Sequence, residues 1–335
     1  MKGRDLQGSL ARSLEESWYS SRTLRWVLSP LELLYRFAWA ARRLGYRLGL
    51  KKVSKLPVTV IVIGNITVGG TGKTPCVIWM ATQLRARGYR VGVLGRGYGG
   101  RAKTWPRRVD VNSDPEEVGD EALLLASGGW PVAIGPERAA AGRMLLAEQP
   151  LDVLLCDDGL QHYALHRDME IAVIDGARGL GNGACLPAGP LREPPRRLRS
   201  VDAIIVNGGG WADGAAFRAE LAPRRVYAIA GGQERDLAAF RDTVVHAVAG
   251  IGHPARFFDM LKAAGIRVIP HSFTDHARYA GADFDFGDGH PILMTEKDAV
   301  KCRAFADDRF WCVTVELRFK DGDGDRLMRR VLRDL

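Results

Sequence analysis

A β-branched run, Val58–Ile63, leads straight into Gly64-Asn-Ile-Thr-Val-Gly-Gly-Thr-Gly-Lys-Thr-Pro75. Glycines let backbone N–H groups wrap an anion, a lysine reaches outer phosphates, and a threonine hydroxyl suits Mg²⁺. A proline that fits a first helical turn follows. Together these are the parts of a phosphate-binding loop. The binding stretch is Thr67, Val68, Gly69, Gly70, Thr71, Gly72, Lys73 and Thr74. It implies ATP, with Mg²⁺ on Thr74. One position is unusual, since Thr67 stands where G-x-x-x-x-G-K-[ST] has its first glycine.

Leu154-Leu-Cys-Asp-Asp158 is an apolar strand that ends in carboxylates. One of Asp157 and Asp158 is expected beside the loop, holding Mg²⁺ or its waters. Gly95-Arg-Gly-Tyr-Gly-Gly-Arg101 offers Arg96 and Arg101 either to phosphate or to solvent. Asp120, in Gly119-Asp-Glu121, opens a helix as an N-cap or as a general base for an attacking hydroxyl. His162 reads as a core or capping histidine. Phe273-Thr-Asp-His276 places an Asp-His pair on a loop, and Thr295-Glu-Lys-Asp298 reads as a turn or a ligand contact.

The elements that must position these residues alternate. Strands are expected at 58–63, 90–94, 131–134, 151–156, 170–174 and 203–207, with helices at 75–87, 119–126 and 136–148. That rhythm predicts an α/β fold, a P-loop NTPase-like parallel sheet covered on both faces. A second, smaller α/β pattern begins near residue 226. Three parts follow: an amphipathic segment 1–55, a P-loop kinase domain 56–225 and a smaller α/β domain 226–335, whose last helix is free to pack back on the first.

The chain has 335 residues and a net charge of +9. Residues 1–55 hold twelve Lys/Arg against four acids, so nearly all of the excess lies there. Charges at Glu32, Arg36, Arg42, Arg43 and Arg47 break every run long enough to span a bilayer, and no secretory signal is visible. Leu34, Phe37, Ala41, Leu44 and Leu48 share one helical face, with Arg36, Arg43 and Arg47 opposite. Trp26, Tyr35, Trp39 and Tyr46 add rings suited to headgroup depth. Such a helix lies in a membrane interface or packs its stripe on the domain behind it. No groove-reading motif accompanies the charge, so nucleic acid is not an expected partner. The five cysteines form no C-x-x-C pair, which fits a reduced compartment.

Taken together the motifs resemble the tetraacyldisaccharide 4′-kinases of lipid A biosynthesis. The resemblance rests on Gly64-Asn65 through Pro75, Arg96–Gly100, Gly119-Asp-Glu121, Asp157-Asp-Gly-Leu-Gln-His162, Gly181-Asn-Gly183, Leu186-Pro-Ala-Gly-Pro-Leu-Arg-Glu-Pro194, Phe273-x-Asp-His276 and Thr295–Asp298. It implies transfer of the ATP γ-phosphate to the 4′-hydroxyl of a tetraacylated disaccharide 1-phosphate, giving lipid IVA. The enzyme would work at the cytoplasmic face of the bacterial inner membrane, with the glycolipid and the membrane surface as partners. By the same resemblance Lys73 contacts phosphates, Thr74 ligates Mg²⁺, and Asp157 and Asp158 support the metal. Asp120 becomes the base, paired with His276. Ala277 stands where many relatives have a second histidine. Arg192, Arg196, Arg197 and Arg199 are candidates to grip the 1-phosphate, or a solvated basic loop. Two rivals remain: a P-loop ligase acting on a soluble metabolite, and a nucleotide-dependent membrane or nucleic-acid module without transfer chemistry.

Overall fold

The computed structural model describes residues 18–19, 23–211, 214–275, 277–333 and 335. An amphipathic helix, α1 (Thr23–Arg47), precedes the sheet. The first α/β run is then β1 (Thr59–Gly64), α2 (Lys73–Arg85), β2 (Val91–Gly95), β3 (Arg107–Val109), α3 (Pro115–Val118), α4 (Asp120–Ala126), β4 (Val132–Ile134), α5 (Arg138–Glu148), β5 (Val153–Asp157), β6 (Met169–Asp175) and β7 (Ala203–Asn207). After β8 (Phe217–Ala228) and β9 (Glu234–Arg235) come β10 (Val244–Ala249), α6 (Pro254–Ala263), β11 (Arg267–Ser272), β12 (Ile292–Thr295), α7 (Glu296–Cys302), β13 (Phe310–Phe319) and α8 (Asp323–Val331).

The apolar runs of β1 and β5 alternate between two cores, as period-2 side chains must. Ile61, Ile63, Val153 and Leu155 pack with Val77, Met80 and Leu84 of α2. Val60, Val62, Leu154 and Cys156 face Ala141 and Leu145 of α5. The phosphate-loop strand β1 therefore lies inside the sheet, parallel to both β5 and β6. Leu327, Met328 and Val331 of α8 pack into the α2 layer.

All the strands belong to one sheet, in the order β11-β10-β12-β13-β8-β7-β6-β1-β5-β2-β4-β3, with β9 on β8. The boundary expected near 225 falls inside β8, which pairs antiparallel with β13 and parallel with β7. The early part of β8 reads poorly in sequence because its outward positions are charged and Pro223 interrupts it. Proline has no N–H for the ladder, and the β8–β13 register shifts beside it, between Thr314 and Val315.

Helix α1 does not pack its apolar stripe on the domain behind it. Trp26, Leu34, Phe37, Leu44 and Leu48 are 53–78% exposed, so the apolar stripe faces away from the protein. The opposite face docks through polar contacts. Glu32 accepts from the Cys185 N–H at 3.0 Å, Tyr35 donates to the Arg192 carbonyl at 2.8 Å, and Trp39 Nε1 donates to Glu193 at 3.1 Å. Tyr35 and Trp39 thus point inward rather than to headgroup depth. Burying their hydroxyl and indole requires partners, and the 185–193 segment supplies them. No helix among the described residues is long and apolar enough to cross a membrane.

Candidate active site

The loop between β1 and α2 is shaped by its neighbours. Ile66–Val68 runs beside Pro190–Arg192: Val68 N–H donates to the Pro190 carbonyl at 2.8 Å, and Arg192 N–H donates to the Ile66 carbonyl at 2.7 Å. Thr67, 3% exposed, bridges Leu191 and is not among the positive-φ residues. A β-bridge tolerates threonine, which explains why the first position needs no glycine here. Gly72 is different. Its φ of 93° lies in the left-handed region, and a Cβ there would sit 2.5 Å from Asn207 Nδ2. That amide donates to the Thr71 carbonyl at 3.0 Å, tying the loop to the end of β7.

From Gly72 the chain enters α2, so Lys73 and Thr74 open a helix whose N-terminus favours anions. Thr74 Oγ1 donates to Asp157 Oδ2 at 3.0 Å across the β1–β5 pair. Asp157 is 4% exposed, and its other oxygen, Oδ1, is buried without a partner. Burial pushes its carboxyl up to about 7; nearby Glu121 adds to this, and Lys73 opposes it. The Thr74 hydroxyl and the Asp157 carboxylate, with its orphaned Oδ1, form a hard-oxygen donor pair that suits Mg²⁺. A divalent cation there would draw the proton off.

Asp158 behaves otherwise. Burial works to raise its carboxyl, but Lys73 at 3.7 Å and Arg192 at 2.9 Å outweigh that and hold it below the usual range. Asp158 is thus the counter-ion beside Lys73, and Asp157 is the carboxylate whose free oxygen could face a metal. Arg192 lies in the site through this pair. Arg197 does not, because it is 1% exposed and clamped between Glu170 and Glu193. A guanidinium so enclosed cannot grip a substrate phosphate. Burial first, then the surrounding arginines, lowers His162 to about 4, so it is neutral at pH 7.

Asp120 sits at the first position of α4 rather than at its cap; Gly119 is the cap. It is 4% exposed, and one of its oxygens accepts the Glu121 N–H at 2.9 Å. Two lysines of α7 approach its other oxygen, Lys297 at 4.0 Å and Lys301 at 3.9 Å. Lys297 also pairs with Asp275 at 2.9 Å, and Lys301 donates to the Ala277 carbonyl at 3.1 Å. The residues flanking position 276 are thus tethered by the lysines that face Asp120. His276 itself lies outside the described residues.

The sequence reading had Lys297 only within a turn or ligand-contact motif and did not single out Lys301. Thr295–Asp298 is the N-terminus of α7: Thr295 caps it, and Asp298 bonds back to the Thr295 hydroxyl. A Thr-x-x-Asp capping pattern was the available signal. Asp298, fully buried, also accepts the Gly250 N–H at 2.9 Å. That fixes the turn from β10 to α6 against the phosphate loop, where a Cβ on Gly252 would lie 3.1 Å from Gly70 N. Arg178 bonds the Gly252 carbonyl at 3.3 Å, and Arg256 ties Asp175 to Asn207. The Gly95–Arg101 loop packs by its backbone on the α3–α4 turn, since a Cβ on Gly119 would meet the Tyr98 carbonyl at 2.4 Å; Arg96 and Arg101 are exposed. A cleft of about 340 Å³ opens past the end of β7, lined by Gly208–Trp211, Arg218 and Lys320.

Comparison with known proteins gives a consistent result. A family profile described as LpxK, tetraacyldisaccharide-1-P 4′-kinase, matches residues 24–333. The tetraacyldisaccharide 4′-kinase of Alkalilimnicola ehrlichii is 53% identical over 302 residues, covering 90% of this chain and 91% of that protein. The tetraacyldisaccharide 4′-kinase of Pseudomonas paraeruginosa is 51% identical over 312 residues, covering 92% and 93%. The crystal structure of LpxK from Aquifex aeolicus in complex with ATP superposes with a TM-score of 0.80 at 30% identity, covering 93% of this chain and 99% of that one.

Proposed function

The chain belongs to the tetraacyldisaccharide-1-P 4′-kinase family, and we propose that it transfers the γ-phosphate of ATP to the 4′-hydroxyl of a tetraacylated glucosamine disaccharide 1-phosphate, giving lipid IVA. The observation that carries this reading is the meeting of two half-sites at one sheet edge. One is a phosphate cradle with an orphaned Asp157 oxygen; the other is a buried Asp120 faced by Lys297 and Lys301.

Phosphoryl transfer is largely positioning and charge neutralisation. The loop amides and Lys73 hold the β- and γ-phosphates. Thr74 and Asp157 would hold Mg²⁺, which would supply charge neutralisation at the phosphate oxygens. Asp120, in partnership with His276, takes the proton of the 4′-hydroxyl as its oxygen forms a bond to the γ-phosphorus. The bond from that phosphorus to the bridging oxygen breaks, and ADP leaves. Lys297 and Lys301 supply positive charge where the alkoxide develops. The cleft beyond Asn207 is the candidate place for the adenine ring, with Trp211 available to stack.

The exposed stripe of α1 supports a further part of the reading: the helix lies in the cytoplasmic face of the inner membrane, where the glycolipid is. A coupled assay for ADP, with and without the acceptor dispersed in detergent, tests the reaction. Release that depends on the acceptor is expected. Equal release without it would favour a nucleotidase module.

A further inference from the structure

A second cleft, of about 330 Å³, lies under the C-terminal end of α1, lined in part by Arg43, Tyr46, Arg47, Val53, His166 and Arg197. It opens at the amino-terminal ends of the strands. Val53 precedes β1, His166 precedes β6 and Asp202 precedes β7. The phosphate loop leaves the opposite end of β1, a strand length of about 20 Å away. This cleft is therefore not part of the catalytic site.

Its charges do not cancel. Glu170 takes Arg167 at 2.9 Å and Arg197 at 2.5 Å; Asp202 accepts the Glu170 N–H at 2.7 Å and keeps its charge, but four lining arginines against these two acids leave the cleft net positive. Among the described residues Arg43 has a hydroxyl partner, Ser200 Oγ at 3.2 Å, and a stacking contact on Trp39, with no ion pair. Arg47 is exposed, with no ion pair among the described residues. Burial depresses the Arg43 guanidinium; Tyr163 and Glu193 oppose this, and Arg197 and Arg47 add to it. Val53, exposed, lines the cleft, and the exposed Leu44 and Leu48 each follow one of the two arginines in the chain. Two uncompensated arginine forks beside an apolar ledge match a phosphate that is attached to acyl chains.

We propose that this cleft binds the phosphodiester headgroup of an anionic bilayer phospholipid, its acyl chains running along the apolar stripe of α1. The proposal rests on the interfacial reading of that helix. The site fixes the rotation of α1 about its axis, so the phosphate loop at the other end is held at a set orientation to the membrane. A lesser role for Arg47, complementing the helix dipole, would affect stability and not lipid choice.

The test uses the full chain and a monomeric short-chain lipid, dihexanoyl phosphatidylglycerol, which presents the headgroup without a charged surface. Expected are a saturable single-site isotherm and shifts of the Arg43 and Arg47 side-chain N–H resonances. Dihexanoyl phosphatidylcholine should give neither, and glycerol 3-phosphate should bind about tenfold more weakly or worse for want of acyl contacts. Arg43→Gln/Arg47→Gln should lose the isotherm with its melting temperature kept, whereas Lys52→Gln/Lys55→Gln, a charge-matched control outside the cleft, should retain it. Saturable binding that survives in the arginine variant overturns the site. Equal affinity for glycerol 3-phosphate overturns the lipid as its source. Vesicle sedimentation separates this from the interfacial reading: Leu44→Asp/Leu48→Asp should release the protein from vesicles. If the wild-type chain ignores vesicles of any composition, both readings fall.

Discussion

At the scale of single residues, the adjacent carboxylates Asp157 and Asp158 have opposite environments, and we assign them separate roles on that ground. Sequence showed that an apolar strand ends in acids, but not which one faces the metal. The distinction comes from Arg192 and from the orphaned Asp157 oxygen, contacts made by segments distant in the chain. A carboxyl raised to about 7 is held neutral at mildly acidic pH. Mg²⁺ binding should therefore release a proton and weaken as pH falls below about 7, which calorimetry in buffers of differing ionisation enthalpy would measure. The linkage sign for stability follows. A carboxyl raised on folding costs nothing below its unfolded value near 3.8 and costs most once pH exceeds about 7. Asp157→Asn should thus stabilise the metal-free protein at pH 8, on the order of a few kcal/mol, while Mg²⁺-dependent turnover is lost. Unchanged melting at pH 8 would show that the charge is not buried as described. For Asp120→Asn, kcat should fall by about 10² to 10⁴, with ATP affinity kept.

At the scale of elements, helix α2 and the strands around it were legible because glycine, proline and β-branched residues mark their ends. Thr67 looked anomalous only until its bridge to Leu191 was seen. Helix α7 was only partly legible: Lys297 lay in a motif open to a turn or a ligand contact, Lys301 lay in none, and Lys297 meets Glu121 across 176 positions of sequence. Lys297→Met should lower kcat for transfer and leave ATP binding near wild type; an unaltered kcat would remove α7 from the chemistry. Gly72→Ala places a Cβ in the left-handed region and against Asn207. It should cost about 1–3 kcal/mol, read as a lower melting temperature, and it should weaken ATP binding as well. In α1 the pattern announced amphipathicity but not direction, because both faces carry aromatic rings. Leu34→Asp/Phe37→Asp should abolish sedimentation with vesicles and leave the melting temperature unchanged, since those side chains touch solvent.

At the scale of the whole molecule, the sheet runs unbroken from β11 to β3, and the catalytic groups come from both halves of it. Sequence suggested a division near 225 because charged outward positions and Pro223 disguise β8 as loop. The pairing with β13 that makes it a strand is a long-range fact. What joins the halves at the site is equally long-range. Asp298 holds Gly250, and the turn beyond it rests on the phosphate loop. Whether the chain is a lipid 4′-kinase is decided by the mass of the lipid after incubation of the purified chain with ATP, Mg²⁺ and tetraacyldisaccharide 1-phosphate in detergent. A gain of one phosphate, on the 4′-oxygen, is expected, absent with Lys73→Ala and with Asp120→Ala. A lipid of unchanged mass with the wild-type chain, or full phosphorylation by the Asp120→Ala variant, would contradict it.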